Sequence, residues 1–470
     1  MSGFFNFEPI EGILRKKQKD GRLSHDTGDI KNAFPFNSSR KSNVFSEGIN
    51  EIIGELVRLS NSLKEPNLKY EGDYYFSEYP LVNMVIEDVS FPEDMHQEVL
   101  TKFLEEYLYK NGSDLKPLHL YLFNYITSTE NKGEKGKYAR FIYDLLFYNK
   151  PEISSLFSKK DTDNLLTELI ISSLPDLEAN TGDHLNATKF SSISPDIKEM
   201  FACDFMFLSE HKDYFITHFF HLIHYYVFQY VLQFLRNAQR FGNAHSTEFM
   251  NPLHFTFDWE TGVGSYRNAV LDFQFIKKNA KNLFVHIHTM SHLSHNTRNP
   301  NKDIQSYQKL VEELDRLNNE EQMMEKEKLI NWIRTYSDLA YLTIPSDLHS
   351  DMSFSELFNT LFSQLHKGMS EGVYKKYGDN IEKLGKGKFL KARGKHGFVL
   401  SLKQEDFLLL SAVAVGKEKI PLKTYFKELE RRGMTFDQYS KKEAVRLLEQ
   451  QNYIEKKSDS GDAQYVKPIL

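Results

Sequence analysis

The C-terminal stretch that decides the fold reads FVLSLKQEDFLLLSAVAVG (398–416), IPLKTYFKELERRG (420–433), SKKEAVRLLEQ (440–450), YIEKK (453–457) and QYVKPIL (464–470). The second piece has apolar residues at helical spacing (Leu422, Tyr425, Phe426 and Leu429), and Gly416 and Gly433 are typical stop signals for the first two helices. Ser440 and Glu443 form a capping-box pattern that predicts the start of the third helix. The last two pieces predict a β-hairpin. This order predicts a winged helix-turn-helix domain over residues 398–470.

Charge is divided unevenly along the chain. Residues 375–470 contain 21 Lys and Arg against 13 Asp and Glu, whereas residues 1–374 contain 38 against 52. An excess of basic side chains at one end favours contact with nucleic acid or with an acidic protein. The charge division therefore indicates a binding role for the C-terminal end, and it does not indicate catalysis.

The remaining sequence predicts a mainly α protein. The chain of 470 residues has 37 Phe and 25 Tyr but few Gly and Pro, which is typical of helices with bulky interiors. We predict an extended polar segment over 1–45, an aromatic-rich helical body over 46–374, a basic linker over 375–397 and the winged helix over 398–470. A subdivision of the body near 180–195 and near 300 is left open.

One segment, from Tyr214 to Leu235, contains no Asp, Glu, Lys or Arg and is long enough to span a bilayer. It holds three His and two Gln, however, so a buried central helix is the better interpretation. No secretory signal is recognisable at the N-terminal end. The single cysteine, Cys203, cannot form an internal disulfide. These features predict a cytoplasmic protein that does not bind membranes.

Two groups of basic side chains are candidates for contact with double-stranded DNA. In a helix-turn-helix motif the second helix enters the major groove, and Lys or Arg neutralise phosphates. The candidates are Lys441, Lys442 and Arg446 on the third helix, and Lys386, Lys388, Lys391, Arg393 and Lys395 in the preceding basic strip. Two alternatives stay open: the third helix serves packing or protein docking, and the strip is a solvated linker.

Histidines are concentrated in the centre of the chain, where ten of the 17 lie between His211 and His295. A strand over 283–288 would place His286 and His288 on one face, with His292 and His295 following. Zinc needs three or four such donors, but neither a Cys pair nor a known ligand spacing accompanies them. We expect these histidines to pack in the core without a metal. A metal-dependent hydrolase built on His286–His295 is the weakest functional alternative.

Motifs for catalysis are missing from the sequence. No GxxxxGK[ST] phosphate loop and no GxSxG nucleophile elbow occurs. Gly262-Val263-Gly264 is half of a dinucleotide fingerprint without a convincing preceding strand. The sequence therefore predicts no catalytic residue and no cofactor.

The hairpin and the C-terminus predict a protein contact. The hairpin turn contains Asp459 and Asp462, which would repel a phosphate backbone. A tyrosine and terminal aliphatic side chains rimmed by charge are typical of protein interfaces. The candidate partner-binding residues are Asp459, Asp462, Gln464, Tyr465, Ile469 and Leu470.

Three stretches are similar to a known family. They are YIEKKSDSGDAQYVKPIL (453–470) after ERRG (430–433), LSHDTGDI (23–30) followed by FPF (34–36), and PLHFTFDWE (252–260). In these stretches the chain resembles the DptG (DndG) family, and the C-terminal stretch is the most specific of the three.

The resemblance implies a subunit of the restriction half of a bacterial DNA phosphorothioation system, which attacks unmodified DNA and spares modified DNA. It implies two larger partners, DptF-like and DptH-like subunits, that supply nucleotide hydrolysis. The missing phosphate loop agrees with that division of labour. We expect a non-catalytic accessory subunit that bridges these partners and contacts DNA. The alternative is a stand-alone winged-helix regulator, which would form a dimer and bind a defined sequence without partners.

Overall fold

The computed structural model describes residues 3–19, 22–37, 48–68, 75–110, 114–128, 132–182, 187–243, 249–260, 266–456 and 464–470. Most of these residues lie in helices and few lie in strands, which confirms the mainly α prediction. The chain divides into two compact units. The first contains Met1–Ser46, Lys189–Asp204 and His221–Leu470, and the second contains Glu47–Thr188 and Phe205–Phe220.

The N-terminal segment, expected to be extended, contains helix α1 (Glu8–Lys16) and the antiparallel pair β1 (Gln18–Lys19) and β2 (Arg22–Leu23). The backbone N–H groups of Phe4 and Phe5 each donate to the carboxylate of Glu325 at 2.8 Å. Glu325 is buried. A partner some 320 residues away in sequence therefore orders this segment, and no local pattern could indicate it.

The second unit is a helical assembly with its own core. Its helices are α2 (Ile49–Ser60), α3 (Pro80–Glu87), α4 (Asp94–Leu108), α5 (Lys132–Ile142), α6 (Pro151–Leu156) and α7 (Leu165–Ser172), and its strands are β3 (Tyr109–Lys110) and β4 (Asp114–Leu115). A 3-10 turn covers Leu120–Tyr125, and a π-helical turn covers Tyr143–Phe147. Leu81 and Val85 of α3 pack in one cluster with Leu104 and Leu108 of α4.

Two longer helices, α8 (Pro195–Ser209) and α9 (Lys212–Ala238), each have residues in both units. Within the first unit, Tyr225, Tyr226 and Leu232 of α9 are fully buried. The charge-free stretch is helical, as predicted, and it is buried from Leu222 to Leu235, whereas residues 214–221 are mostly half-buried. Among the described residues, no helix combines the length and the apolarity that crossing a membrane requires.

The first unit continues with β5 (Leu253–His254), β6 (Thr256–Phe257), α10 (Arg267–Ala280), α11 (Leu283–Ser294), α12 (Tyr307–Asp315), α13 (Asn319–Leu339), α14 (Phe354–Gly368) and α15 (Glu371–Gly385). The strand expected over 283–288 is wrong, because these residues begin α11. Every residue from Val285 to Ser294 is buried. A helix buried on all sides shows no apolar stripe, so its local alternation resembles that of a strand.

The basic segment before the C-terminal helices is ordered. After α15 the chain forms β7 (Leu390–Ala392) and β8 (Phe398–Leu402), which pair antiparallel. β8 also pairs in parallel with β6, giving the sheet order β6-β8-β7. Phe389 and Leu390 are buried. The predicted basic linker over 375–397 therefore contains the end of α15, the buried Phe389 and Leu390 and the strand β7, although Lys386 and Gly387 are exposed.

The C-terminal elements are α16 (Gln404–Val415), β9 (Ile420–Pro421), α17 (Leu422–Arg431), β10 (Met434–Thr435), α18 (Gln438–Gln450), β11 (Ile454–Lys456) and β12 (Gln464–Val466). β12 lies between β11 and β9 in an antiparallel sheet, and β10 pairs in parallel with β5. Gly433 has a φ of 82°. This left-handed conformation favours glycine, which has no Cβ.

Candidate nucleic-acid interface

Helix α18 begins at Gln438 because the side chain of Asp437 caps it. The Asp437 carboxylate accepts the N–H groups of Tyr439 at 3.0 Å and of Ser440 at 2.9 Å. Such a cap satisfies N–H groups that have no partner within the helix, and its negative charge suits the helix N-terminus. The capping box expected at Ser440 is therefore wrong, because Ser440 lies inside the first turn and is buried.

One face of α18 is fixed against residues 257–260. The hydroxyl of Ser440 donates to Oε2 of Glu260 at 3.2 Å, and Nε1 of Trp259 donates to Oε1 of Glu443 at 2.8 Å. The ring of Phe257 stacks on Trp259 with 4.5 Å between centroids. These contacts set the rotation of the helix about its axis and thereby determine which residues face solvent.

An adjacent, solvent-exposed side of α18 presents Tyr439, Lys442 and Arg446, which are spaced three and four residues apart and share one side of a helix. Tyr439 is 63% exposed, and Lys442 and Arg446 are also exposed. Arg446 donates to Glu443 through Nε at 2.9 Å and also through Nη2. Lys442 makes no ion pair with any described residue. Lys442 and Tyr439 are therefore the groups on this face that a ligand reaches most directly.

Lys441, another predicted DNA contact, lies to one side of that face. It is half-buried, its ammonium lies 5.3 Å from the ring centre of Phe426, and Nζ is 3.9 Å from Oε1 of Glu430. Tyr439 is absent from the sequence-predicted set because a helix starting at Ser440 leaves it in the preceding loop. Tyr439 precedes Lys442 by three residues, and this helical spacing could have identified Tyr439 in the sequence.

The five basic residues of the strip do not form one uniform surface. Lys386 and Lys395 are exposed. Lys391 donates to the carbonyl of Asp258, and Nη2 of Arg393 donates to the carbonyl of Phe257 at 3.0 Å. These two cations are thus occupied in holding the chain near the β6-β8-β7 sheet.

Lys388 belongs to a compact group of charged side chains. Its Nζ lies 2.8 Å from Oδ1 of Asp406, 3.2 Å from Oε1 of Glu405 and 2.7 Å from Nδ1 of His221. Asp406 is 2% exposed, and Nδ1 of His221 lies 3.1 Å from its Oδ1. The ammonium of Lys388 therefore balances a buried carboxylate and is not free to bind phosphate.

Electrostatics within the Lys388 group favour the ionised carboxylate. Burial raises the pKa of Asp406, but the hydrogen bond from His221 and the charge of Lys388 outweigh it and hold that pKa below its usual value. His221, Glu405 and Asp406 are the one set of three metal-ligand atoms within 4.8 Å of one another in the described parts of the chain. The Lys388 ammonium already lies among them and supplies the positive charge.

The histidines of α11 are buried and have few polar contacts. Burial lowers the pKa of His286 and of His288 to about 3. Nε2 of His286 lies 2.6 Å from the amide nitrogen of Gln239, whereas both ring nitrogens of His292 are buried and have no hydrogen-bond partner. The nitrogens of these histidines do not converge as a set of three metal ligands among the described residues.

The predicted partner-binding residues fall into two groups. Asp459 and Asp462 lie outside the described residues. Gln464 and Tyr465 lie on β12 and are half-buried. Ile469 and Leu470 follow this strand and are also half-buried. An open groove of about 590 Å³ lies beside this hairpin; sequence reasoning missed it, and its lining includes Lys417, Lys419, Tyr453, Glu455 and Lys467.

Among known proteins, no family model and no curated protein matches this chain. The resemblance of the three stretches to the DptG family remains a prediction. The geometry of α18 and of the basic strip is what bears on DNA binding.

Proposed function

We propose that this chain is a non-catalytic accessory subunit of a bacterial phosphorothioation-dependent DNA restriction complex, and that α18 contacts double-stranded DNA. The observation that carries the DNA contact is the asymmetry of α18, which holds Ser440 and Glu443 against residues 257–260 and leaves Tyr439, Lys442 and Arg446 exposed. The partners implied by the resemblance are DptF-like and DptH-like subunits. The chain bridges them in the cytoplasm without a cofactor of its own.

The C-terminal elements favour a winged helix as the DNA-binding domain. α16 is followed by β9, α17, α18 and the strands β11 and β12, and β9 pairs with β12 as the third strand of that sheet. In this arrangement α18 takes the position of the recognition helix, whose N-terminal half approaches base edges in the major groove. Tyr439 and Lys442 lie in that half of α18.

Electrostatics favour Lys442 as the main phosphate contact of α18. A cation that neutralises a phosphate releases condensed counterions, which is the dominant source of sequence-independent affinity. Arg446 already shares its charge with Glu443, and Lys441 lies 3.9 Å from Glu430. Lys442 has no such competitor among the described residues, so it contributes the larger share of the attraction.

Replacing Lys442 by glutamate is expected to weaken binding to duplex DNA by about tenfold at low salt, because one phosphate contact becomes a repulsion. Fluorescence anisotropy with a labelled duplex measures this change. The matched control is Lys159→Glu, which alters an exposed lysine of the second unit by the same charge. Equal affinity of the two variants would remove α18 from the DNA contact.

The strip is expected to act through Lys386 and Lys395 alone. The variant Lys386→Glu, Lys395→Glu should reduce the slope of log K against log[salt] by roughly 0.9 for each lysine that contacts a phosphate. Binding to unrelated duplex sequences should fall equally, and circular dichroism should be unchanged because both residues are exposed. An unaltered salt slope would limit the DNA interface to the C-terminal helices.

A further inference from the structure

Helix α4 has apolar side chains on two faces. Leu104 and Leu108 are fully buried in the core of the second unit. Met95, Val99 and Phe103 lie on another face at intervals of four residues and are 62%, 64% and 46% exposed. A surface helix normally shows polar residues opposite its buried face. We call Met95, Val99 and Phe103 the exposed row of α4.

The exposed row has the geometry of a docking site for a helix. Single exposed apolar residues are ordinary, but a contiguous row indicates an interaction surface. Phe103 stacks on Tyr107 with 5.3 Å between ring centroids and 18° between planes; Tyr107 is half-buried against the core of the unit and therefore limits the motion of Phe103. Anchors at intervals of four residues match the apolar face of a second helix.

The surroundings of the row are acidic. Glu93 and helix α4 together contain five Asp and Glu against one Lys. Glu98 and Lys102 neutralise each other, with 2.7 Å between Nζ and Oε1. Glu106 is exposed and its carboxylate makes no ion pair with a described residue, while the ammonium of Lys116 donates to its backbone carbonyl at 2.6 Å. This rim attracts a cationic ligand and repels nucleic acid. Symmetric pairing of two copies through the same row would bring their two acidic rims together. The repulsion between these like charges disfavours a dimer at this face.

We infer that the exposed row of α4 docks an amphipathic helix of a separate protein, with apolar residues at intervals of three or four and Lys or Arg along their edges. The apolar anchors cover Met95, Val99 and Phe103, and the basic edge meets Glu106. The inference does not depend on the proposed DNA contact, because α4 belongs to the second compact unit and the DNA-binding candidates belong to the first.

The test uses the full chain and a synthetic helical peptide that alternates leucine at helical spacing with lysine. A peptide with glutamate in place of lysine is its control. Fluorescence anisotropy should show binding of the lysine peptide only. Val99→Asp should weaken that binding by about tenfold or more, because it places a carboxylate at the centre of the apolar anchors. Leu165→Asp, at a residue 83% exposed in the same unit, should change binding by less than about twofold.

Three results would overturn the inference. The lysine peptide fails to bind the wild-type chain, or Val99→Asp and Leu165→Asp weaken it equally, or sedimentation shows a dimer that Val99→Asp dissociates, which would assign the row to a second copy. Glu98→Lys with Glu106→Lys provides a second variant that leaves the buried face of α4 untouched. It should reduce affinity for the lysine peptide and raise affinity for the glutamate peptide.

Discussion

Replacement of Arg432 by alanine is expected to lower the free energy of unfolding by about 3–5 kcal/mol, as is typical when one partner of a buried ion pair is removed. Arg432 follows α17, and its guanidinium donates to both carboxylate oxygens of Asp204, through Nε at 2.8 Å and Nη2 at 2.7 Å. Asp204 also accepts the hydroxyl of Tyr226 at 2.6 Å. Urea denaturation measures the loss of stability.

The large effect follows from the burial of both partners. Arg432 is 8% exposed and Asp204 is 2% exposed. Burial acts to lower the pKa of Arg432, but the charge of Asp204 outweighs it and raises that pKa, so the guanidinium stays charged. Removing the guanidinium leaves the Asp204 carboxylate without its counter-charge in a low-dielectric site, where an unpaired charge costs far more than at the surface.

The neighbouring Arg431 supplies the matched control. Its side chain is 67% exposed, and its Nη1 lies 3.1 Å from Glu428. Arg431→Ala should cost less than about 1 kcal/mol, because exposed ion pairs contribute little. The double variant Arg432→Met, Asp204→Leu should be more stable than either single truncation, since no buried charge is left unpaired. Similar losses for Arg431→Ala and Arg432→Ala would contradict this account.

The mainly helical character could be predicted from the sequence because the patterns that indicate helices are local. The charge-free stretch of α9 and the spacing of Leu422, Tyr425 and Leu429 in α17 identify helices without knowledge of their partners. The order within residues 3–19 and 22–37 could not be predicted, because Phe4 and Phe5 are held by a distant partner, Glu325, which accepts their N–H groups. Long-range polar contacts of this kind leave no periodic trace in the sequence.

The candidate interface was predictable in part. Lys442 can be identified from the basic third helix. Tyr439 depends on where that helix starts, and the observed cap is Asp437, three residues before the expected cap at Ser440. Lys388 appears equivalent to Lys386 in the sequence. What distinguishes Lys388 is its contact with His221, 167 residues away, and with the buried Asp406. Counting the basic residues of the strip in the sequence therefore overestimates the number of positive charges that are available to DNA.

Acidification from pH 8 to pH 5.5 is expected to lower the free energy of unfolding of the first unit by about 7 kcal/mol, at roughly 1.4 kcal/mol per pH unit for each of five histidines, of which four are buried and His25 is half-buried. Burial lowers the pKa of His25 and His224 to about 4 and of His286 and His288 to about 3, and it lowers the pKa of His292 well below its usual value. Chemical denaturation at a series of pH values measures the change.

The sign follows from proton uptake in the two states. Below the unfolded-state pKa of about 6.5, each of these histidines binds a proton when the chain unfolds and stays neutral while it is folded. The free energy of unfolding therefore keeps its full value above about pH 6.5. It declines as the pH falls toward the folded-state pKa, which is about 4 for His25 and His224. The decline is comparable to the whole stability of a typical domain, so the unit should unfold within this pH window.

The variant His292→Leu measures how much one of these histidines contributes to the loss of stability at low pH. Both of its ring nitrogens are buried and have no hydrogen-bond partner, so His292→Leu removes an unsatisfied polar group and a latent proton site together. The variant should be at least as stable as wild type at pH 8 and should lose about 1.4 kcal/mol less per pH unit below pH 6.5. His96→Leu, at an exposed position on α4, should follow the wild-type pH dependence. A flat stability profile between pH 8 and pH 5.5, or the same slope in all three proteins, would show that the buried histidines do not control the acid sensitivity.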